Sequence, residues 1–285
     1  MTEILSLREA VAAFVKDGDT IAMEGFTHLI PHAAGHEVIR QERSGLTLVR
    51  MTPDLIYDQM IGMGTADRLI FSWGGNPGVG SLHRLRDACE KSWPRQLDIV
   101  EHAHAALAMA YEAGAAGLPL AISRSYIGTD HESVNPDIKR IECPFTGERL
   151  AAFPSIRPDV AVIHAQRADR KGNVHLWGIL GVQKEAVLAS RYAIVTVEEV
   201  VDDLGDTAMN ETILPGWTIN AVCEVPRGAH PSYAHGFYER HNAFYTRWDP
   251  IARDRKAFLN WMEEYVLSCA TFADTWNKLE ADGYV

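Results

Sequence analysis

The chain has 285 residues, of which 47% are hydrophobic and 23% charged, and its formal net charge is -11 at pH 7. This composition is typical of a globular protein with a sizeable core, and the acidic balance argues against a nucleic-acid partner, which would require a basic face. The apolar runs fall short of the roughly 20 residues that a membrane helix needs, so no membrane partner is expected.

The N-terminal half alternates between helix and strand patterns. Residues 6–16 begin with the capping box Ser6-x-x-Glu9 and carry apolar residues at helical spacing, which predicts a helix. The further helices predicted in this half cover residues 33–42, 55–64, 82–91 and 103–116. The strands predicted here cover Thr20–Met23, Leu46–Met51, 68–73 and Leu97–Val100. Such alternation is typical of a largely parallel sheet with crossover helices.

The C-terminal half resumes this alternation after an interruption. Residues 127–158 are rich in Pro, Gly and Asp, and we interpret them as a surface excursion or contact arm. Beyond them, strands are predicted at Asp159–His164, Val174–Trp177, Tyr192–Val197 and Val222–Val225, and a helix at Lys184–Arg191. Residues from about 250 to 285 are predicted to be helical and amphipathic. The sequence therefore predicts one α/β domain over residues 1–285, an open, mainly parallel sheet with helices on both faces and a C-terminal helical extension.

The segment 71–86 combines a strand end, a glycine-rich loop and a basic helix. Glycine lets backbone N–H groups approach a ligand and a helix N-terminus favours negative charge, so the segment predicts an anion-binding site. It fits neither the P-loop pattern nor G-x-G-x-x-G, so the loop does not specify the ligand. The candidate substrate-binding residues of this loop are Asn76, Gly78, Val79 and Gly80. Their backbone N–H groups and the Asn76 amide would hold an anionic ligand such as a carboxylate; alternatively, the glycines serve a tight turn alone.

Two further strand ends carry candidate residues, because ligands of open parallel sheets lie at the carboxyl ends of strands. Phe26, Thr27 and His28 follow the first long strand and would shape a ligand pocket, with His28 donating a hydrogen bond to a carboxylate. Glu101 ends another strand beside His102 and is a secondary catalytic candidate as a general base. The alternatives are that Phe26 belongs to the core, that His28 is a surface loop residue, and that Glu101 is an acid favoured at a helix start.

Metal binding and secretion are not expected. The four cysteines are far apart and form no C-x-x-C pair, which argues against zinc and against a disulfide framework. No H-E-x-x-H helix occurs, and the pair in His102-x-His104 lacks carboxylates at the usual spacing. We therefore expect no metal and no resident cofactor. Residues 1–4 lack the basic and apolar regions of a secretory signal, so a cytoplasmic location is expected.

Several segments, taken together and in order, resemble the α subunits of class I coenzyme A transferases. The matching segments cover nearly the whole chain and are Glu24–Thr27, Asn76–Val79, Pro158–Gln166, Val195–Glu199 and Gly228–Ser232. Within this family the sequence is similar to the branch that acts on 3-oxoadipate in aromatic degradation, the β-ketoadipate pathway. That similarity rests on Thr27–Pro31, Val49–Asp54, Ser72–Arg86 and Ser232–Gly236. The glutaconate CoA-transferase branch is related.

The resemblance implies an activity and a partner. CoA would move from succinyl-CoA to 3-oxoadipate, giving 3-oxoadipyl-CoA and succinate. In the family a glutamate attacks the thioester, forming an acyl anhydride and then a glutamyl-CoA thioester. In two-subunit members that glutamate belongs to the β subunit. The chain would then supply no nucleophile, pair with a β subunit as αβ or as an α2β2 heterotetramer, and meet CoA as a substrate.

Three alternatives stay open. The first is a transferase for another dicarboxylate such as glutaconate, although Pro77 stands where the glutaconate enzyme has a serine, which favours a different acceptor. The second is a CoA-thioester hydrolase, because a related branch opens rings of CoA thioesters with an α-subunit glutamate that aligns with Glu101. The third and most remote is a ligand-binding protein without catalytic activity on a related α/β fold.

Overall fold

A mainly parallel sheet forms the centre of the computed structural model, which describes residues 2–285. The strands are β1 (Glu3–Ile4), β2 (Thr20–Glu24), β3 (Leu46–Arg50), β4 (Ala66–Phe71), β5 (Asp98–Glu101), β6 (Leu120–Ser123), β7 (Lys139–Glu142), β8 (Arg149–Pro154), β9 (Val160–Asp169), β10 (Val174–Leu176), β11 (Tyr192–Val201), β12 (Thr212–Leu214) and β13 (Ala221–Glu224). The helices are α1 (Leu7–Phe14), α2 (His32–Arg40), α3 (Leu55–Gly62), α4 (His83–Lys91), α5 (His104–Ala115), α6 (His131–Val134), α7 (Gln183–Ala189), α8 (Asn242–Arg253), α9 (Arg255–Met262) and α10 (Phe272–Ala281).

The strand order of the central sheet is β1-β13-β11-β9-β2-β3-β4-β5, and every neighbouring pair along this path is parallel. β10 and β12 extend it antiparallel beside β9. The strand order changes direction between β9 and β2, since the chain runs outward from β2 to β5 and later outward from β9 to β13. Ligands of open α/β sheets bind at the carboxyl ends of strands near such a point.

Helices cover both faces of this sheet. Alternate side chains of β2 enter two separate apolar clusters, with Ile21 and Met23 in one and Ala22 in the other. The first cluster takes its helical side chains from α1–α4 and from α8–α10, the second from α5 and α7. The predicted fold class is confirmed, including the C-terminal helices, which pack into the first cluster. No helix in the described chain is long and apolar enough to cross a membrane.

The first helix begins as the sequence predicts. The Ser6 side chain accepts a hydrogen bond from the Glu9 N–H, and the Glu9 carboxylate accepts one from the Ser6 N–H at 3.0 Å. This reciprocal capping satisfies two N–H groups that an α-helix leaves without partners.

A second, smaller sheet lies outside the central one. It is antiparallel, with the order β6-β8-β7, and residues 127–158 contribute α6, β7 and β8 to this region. The sequence analysis assigned no strands here, because three of the four residues of β7 are exposed and the apolar alternation that marks a half-buried strand is missing. The division of the chain into domains stays a prediction.

Candidate active site

The loops that follow β2, β3, β4 and β5 interlock at one edge of the central sheet. The Ser72 N–H donates to the Met51 carbonyl oxygen at 3.3 Å, and the Gly75 N–H donates to that of Pro53 at 3.0 Å. The His102 N–H donates to the Phe71 carbonyl oxygen at 2.8 Å. The sheet therefore brings the candidate residues of three loops to one surface, called the strand-end edge below.

A buried ion pair connects the loops beneath the surface of this edge. Arg50, the last residue of β3, is fully buried and donates to Asp54 Oδ1 at 2.8 Å and to the Gly25 carbonyl oxygen at 2.9 Å. Pairing offsets the cost of burying the guanidinium, which leaves Arg50 engaged within the protein. Glu24 is also buried, and it accepts a hydrogen bond from the Met51 N–H at 3.0 Å. Burial raises the pKa of Glu24 to about 7.

The loop after β2 has a strained backbone. Thr27 and Leu29 have φ angles of 58° and 53°, in the left-handed region that residues other than glycine rarely adopt. A Cβ atom on Gly25 would lie 2.6 Å from the Leu29 carbonyl oxygen, so this turn requires glycine. Ser232 Oγ donates to the Thr27 carbonyl oxygen at 2.8 Å, and the Leu29 N–H donates to that of Tyr233 at 2.9 Å. The segment after β13 therefore holds the strained loop in place.

His28 connects three loops. The side chain is fully buried; Nδ1 donates to the Ile179 carbonyl oxygen at 2.9 Å, and Nε2 accepts from the His235 N–H at 3.0 Å. Burial lowers the pKa of His28 to about 4, so the ring is neutral at pH 7. Because both ring nitrogens have protein partners, the expectation that His28 donates to a substrate carboxylate is corrected: its side chain fixes loops.

The glycine-rich loop contains a type II turn over residues 76–79. Pro77 and Gly78 occupy its central positions, Gly78 has φ 77°, and the Val79 N–H donates to the Asn76 carbonyl oxygen at 3.0 Å. The Asn76 N–H donates to the Gly80 carbonyl oxygen at 3.1 Å. The backbone N–H groups of Asn76 and Val79 are thus used by the loop itself, which corrects their predicted role as substrate donors.

Three polar groups of the same loop keep their capacity to bind a ligand. Within residues 2–285 the N–H groups of Gly78 and Gly80 take part in no hydrogen bond, and Asn76 Oδ1 is buried without a partner. A Cβ atom on Gly80 would lie 2.8 Å from Asp249 Oδ1 of α8, so Gly80 permits close packing of the loop on that helix. Gly78, Gly80 and the Asn76 amide stay the predicted contacts of this loop.

The remaining candidates are exposed on the strand-end edge. Phe26 is 36% exposed, which does not fit the alternative of a core residue, and Trp73 and Ile179 are 47% and 51% exposed. Glu101 ends β5 with its side chain exposed and without a hydrogen-bond partner among the described residues, while its carbonyl oxygen accepts from Asn135 Nδ2 at 2.9 Å. Apolar and carboxylate groups are therefore both accessible here.

The sequence analysis missed a contact between Ser72 and His104 on this edge. Ser72 Oγ lies 2.8 Å from Nδ1 of His104, and the His104 ring lies 6.0 Å from that of Phe26. His104 was considered only as part of a metal pair with His102, whose ring is buried against Tyr126. The available signal was its place as the first residue of the helix after β5, at the same edge as the other loops.

Other histidines serve buried networks. His164 Nε2 lies 2.7 Å from Glu198 Oε1, which also accepts from the Tyr238 hydroxyl at 2.7 Å, and the Arg227 N–H donates to Glu198 Oε2 at 2.7 Å. Burial opposes ionisation of Glu198, but these hydrogen bonds outweigh it and lower its pKa. His36, one turn after His32 on α2, contacts Gln59 Oε1 at 2.8 Å.

Two cavities show where a substrate could and could not be enclosed. About 10 Å³ of space lies within the loops, lined by residues that include Thr27, Arg50, Pro77 and Arg240, which is room for about one water. A cavity of about 550 Å³ lies between α1, the end of β13 and α10, and it shares no lining residue with the strand-end edge. A substrate at this edge would therefore lie on the exposed surface of the loops.

Comparison with known proteins assigns the chain to a family. Over 98% of its length it is 65% identical to the α subunit of 3-oxoadipate CoA-transferase from Pseudomonas knackmussii, of which it covers 99%. It is 31% identical to the α subunit of glutaconate CoA-transferase from Acidaminococcus fermentans over 99% of this chain and 93% of that one. The crystal structure of the Acidaminococcus fermentans glutaconate enzyme superposes with a TM-score of 0.91 at 30% identity, over 98% of this chain and 93% of that one.

The family model for coenzyme A transferase matches residues 4–225. The resemblance noted from Glu24–Thr27, Asn76–Val79 and the later segments is confirmed. On these grounds the chain belongs to the coenzyme A transferase family.

Proposed function

We propose that the chain is the α subunit of a CoA-transferase that moves CoA from succinyl-CoA to 3-oxoadipate in the degradation of aromatic compounds. The observation that carries the proposal is the 65% identity, over nearly the full length of both chains, to the α subunit of a 3-oxoadipate CoA-transferase. The glutaconate relative is more distant at 31% identity. The proposed partner is a β subunit, in an αβ or α2β2 assembly.

In the proposed reaction a glutamate of the β subunit is the nucleophile. Its carboxylate attacks the thioester carbonyl of succinyl-CoA, and the CoA thiolate leaves as a mixed anhydride forms. The thiolate then attacks the glutamyl carbonyl, which releases succinate and leaves a glutamyl-CoA thioester. The carboxylate of 3-oxoadipate attacks that thioester to form a second anhydride, and the thiolate attacks its 3-oxoadipyl carbonyl. The products are 3-oxoadipyl-CoA and the free glutamate.

In this proposal the α chain supplies one wall of the site. Phe26, Trp73 and Ile179 expose apolar surface beside the glycine-rich loop, and such surface on one edge supports contact with a partner and with an acyl chain. The Gly78 N–H and the side-chain NH2 group of Asn76 lie on the same loop and would donate to the oxyanion that develops at a carbonyl under attack.

The proposal includes no resident cofactor, since CoA enters and leaves as a substrate. It also includes a cytoplasmic location. CoA thioesters carry several negative charges, and a bilayer is a high barrier to such groups.

The test uses the chain copurified with its β partner. The complex is incubated with succinyl-CoA and 3-oxoadipate, and the products are followed by mass spectrometry. The proposal expects 3-oxoadipyl-CoA and succinate in equal amounts, with a CoA adduct on a glutamate of the β subunit when the acceptor is omitted. Transfer to glutaconate in preference to 3-oxoadipate would refute 3-oxoadipate as the acceptor and identify glutaconate in its place.

One observation favours a second candidate, a CoA-thioester hydrolase. The Glu101 side chain is exposed at the end of β5 without a hydrogen-bond partner among residues 2–285, as a general base would be. This candidate expects free CoA without a new thioester, and loss of that release in Glu101→Gln. The transferase expects the same variant to retain transfer.

A further inference from the structure

The contact between Ser72 and His104 fixes the proton of one imidazole nitrogen. Ser72 Oγ lies 2.6 Å from the Met51 carbonyl oxygen and 2.8 Å from His104 Nδ1. A carbonyl oxygen only accepts, so the single hydroxyl proton points to Met51. The serine oxygen must then accept from the imidazole, and His104 Nδ1 carries a proton.

The other nitrogen of His104, Nε2, is left for a ligand. The side chain is exposed, and within residues 2–285 Nε2 makes no hydrogen bond. The Phe26 ring lies 6.0 Å away at 64° to the imidazole, in an edge-to-face contact. Ser72 and Phe26 thus orient the ring from two sides. When Nε2 is protonated, it presents a charged N–H donor beside an apolar side chain.

Three other basic groups at or near the strand-end edge are already engaged. Arg50 is paired with Asp54 at 2.8 Å. Arg240 donates to the Pro77 carbonyl oxygen at 3.0 Å. His28 uses both ring nitrogens within the protein. A carboxylate that meets this edge beside Phe26 therefore finds His104 Nε2, which has no partner among residues 2–285.

We propose, resting on the function proposed above, that His104 determines specificity by donating from Nε2 to the carboxylate of the acyl chain that is remote from the reacting carboxyl group. Ser72 is a positioning residue that acts through the orientation of the ring. Both acids of the proposed reaction carry such a carboxylate. Because Nδ1 already carries a proton, donation from Nε2 requires the ring to take up a second proton when the carboxylate binds. The resulting charge-assisted hydrogen bond separates these acids from monoacids of the same length, which bring no carboxylate to that nitrogen.

The experiment compares two acceptors with the αβ complex. 3-Oxohexanoate has the chain length and keto group of 3-oxoadipate but ends in a methyl group. Transfer through a covalent intermediate follows ping-pong kinetics, in which kcat/KM for an acceptor reports only the half-reaction of that acceptor. Binding of the donor succinyl-CoA therefore does not enter the comparison.

The informative variants are His104→Asn and His104→Gln. Asparagine keeps an amide near the position of Nδ1 for Ser72 but has nothing at Nε2. We expect His104→Asn to lower kcat/KM for 3-oxoadipate about 10- to 100-fold and to leave 3-oxohexanoate within about threefold. Glutamine extends a neutral donor toward the Nε2 position and should recover part of the loss. Ser72→Ala should cause a smaller loss, about 3- to 10-fold, again confined to 3-oxoadipate.

The two acceptors separate the possible failures. Equal losses for both acceptors, or no loss for either, overturn the assignment of His104, and so does a wild-type complex that uses both acids equally well. A wild-type complex that transfers CoA to neither acid refutes the proposed function, and the assignment falls with it. Gel filtration of each variant complex checks assembly, and activity toward 3-oxohexanoate reports intact catalysis in the same sample.

Discussion

His164 and His104 both stand beside a hydroxyl group, but the two regions of the molecule use histidine differently. His164 is fully buried, with Nδ1 2.8 Å from Thr196 Oγ1 and Nε2 2.7 Å from Glu198 Oε1. His104 is exposed and, among residues 2–285, only its Nδ1 has a partner. The comparison shows that an exposed side chain with an unpartnered ring nitrogen, rather than a neighbouring hydroxyl, marks a histidine that can bind a ligand.

The largest effect on stability is expected when the buried hydrogen-bond network around Glu198 loses that carboxylate. Glu198→Ala removes the acceptor of His164, of the Tyr238 hydroxyl and of the Arg227 N–H, all in a buried setting. We expect a loss of about 3–5 kcal/mol in the free energy of unfolding, measured by urea denaturation.

A matched control lies next in the chain. Glu199 pairs with Arg167, and both side chains are partly exposed to solvent, at 38% and 43%. Because exposed pairs contribute little, Glu199→Ala should cost less than about 1 kcal/mol. Similar losses in the two variants would contradict the distinction between a buried, fully hydrogen-bonded carboxylate and a solvent-exposed one.

A second prediction concerns the buried carboxylate below the strand-end edge. Burial raises the pKa of Glu24 from its ordinary value of 4.5 to about 7, so the native state binds this proton more tightly than the unfolded chain does. The free energy of unfolding contributed by Glu24 should therefore fall as the pH rises from about 4.5 to 7.

Glu24→Gln removes this titration and keeps an oxygen that can accept from the Met51 N–H. Relative to the wild type, the variant should gain about 3 kcal/mol of stability between pH 4.5 and pH 7.5, measured by urea denaturation at a series of pH values. A difference that does not change with pH would show that Glu24 ionises as readily in the native state as in the unfolded chain.

A third prediction, with a smaller effect on stability than the two above, concerns the contact between Ser72 and His104. Ser72→Ala removes the hydroxyl, but the Met51 carbonyl oxygen still accepts from the backbone N–H of residue 72. The cost should be about 0.5–1.5 kcal/mol, measured in the same urea titration as Glu198→Ala. A loss as large as that of Glu198→Ala would mean that Ser72 and His104, like His164 and Glu198, serve to stabilise the fold.

The sheet and the position of its strand-end edge could be predicted from the sequence, but the hydrogen bonds within that edge could not. Buried apolar runs alternating with helical spacing predicted the parallel strands, and the rule for parallel sheets then brought Phe26, Asn76 and Glu101 to one edge. The partners of His28 could not be predicted in this way. They are the Ile179 carbonyl oxygen and the His235 N–H, 151 and 207 residues away in the chain. Both are backbone atoms, which any residue at those positions would supply, so the residue types give no sign of the contact.

The hydrogen-bonding capacity of the glycine-rich loop was equally hidden. Asn76-Pro77-Gly78-Val79 suits a type II turn, but which N–H groups that turn consumes follows from its φ and ψ angles. The antiparallel sheet escaped prediction for another reason. β7 is mostly exposed, so its pairing with β8 is backbone hydrogen bonding without an apolar pattern to report it.

The strained loop after β2 has a consequence for changing the specificity of this protein. The left-handed conformations of Thr27 and Leu29 cost about 1–3 kcal/mol each, and hydrogen bonds from Ser232 and to Tyr233 keep them in place. Residues 25–29 and 231–235 are therefore one transplantable module, although some 200 positions separate them. A chimera that imports the loop of another acceptor type without its supporting segment should let the loop relax to ordinary dihedral angles.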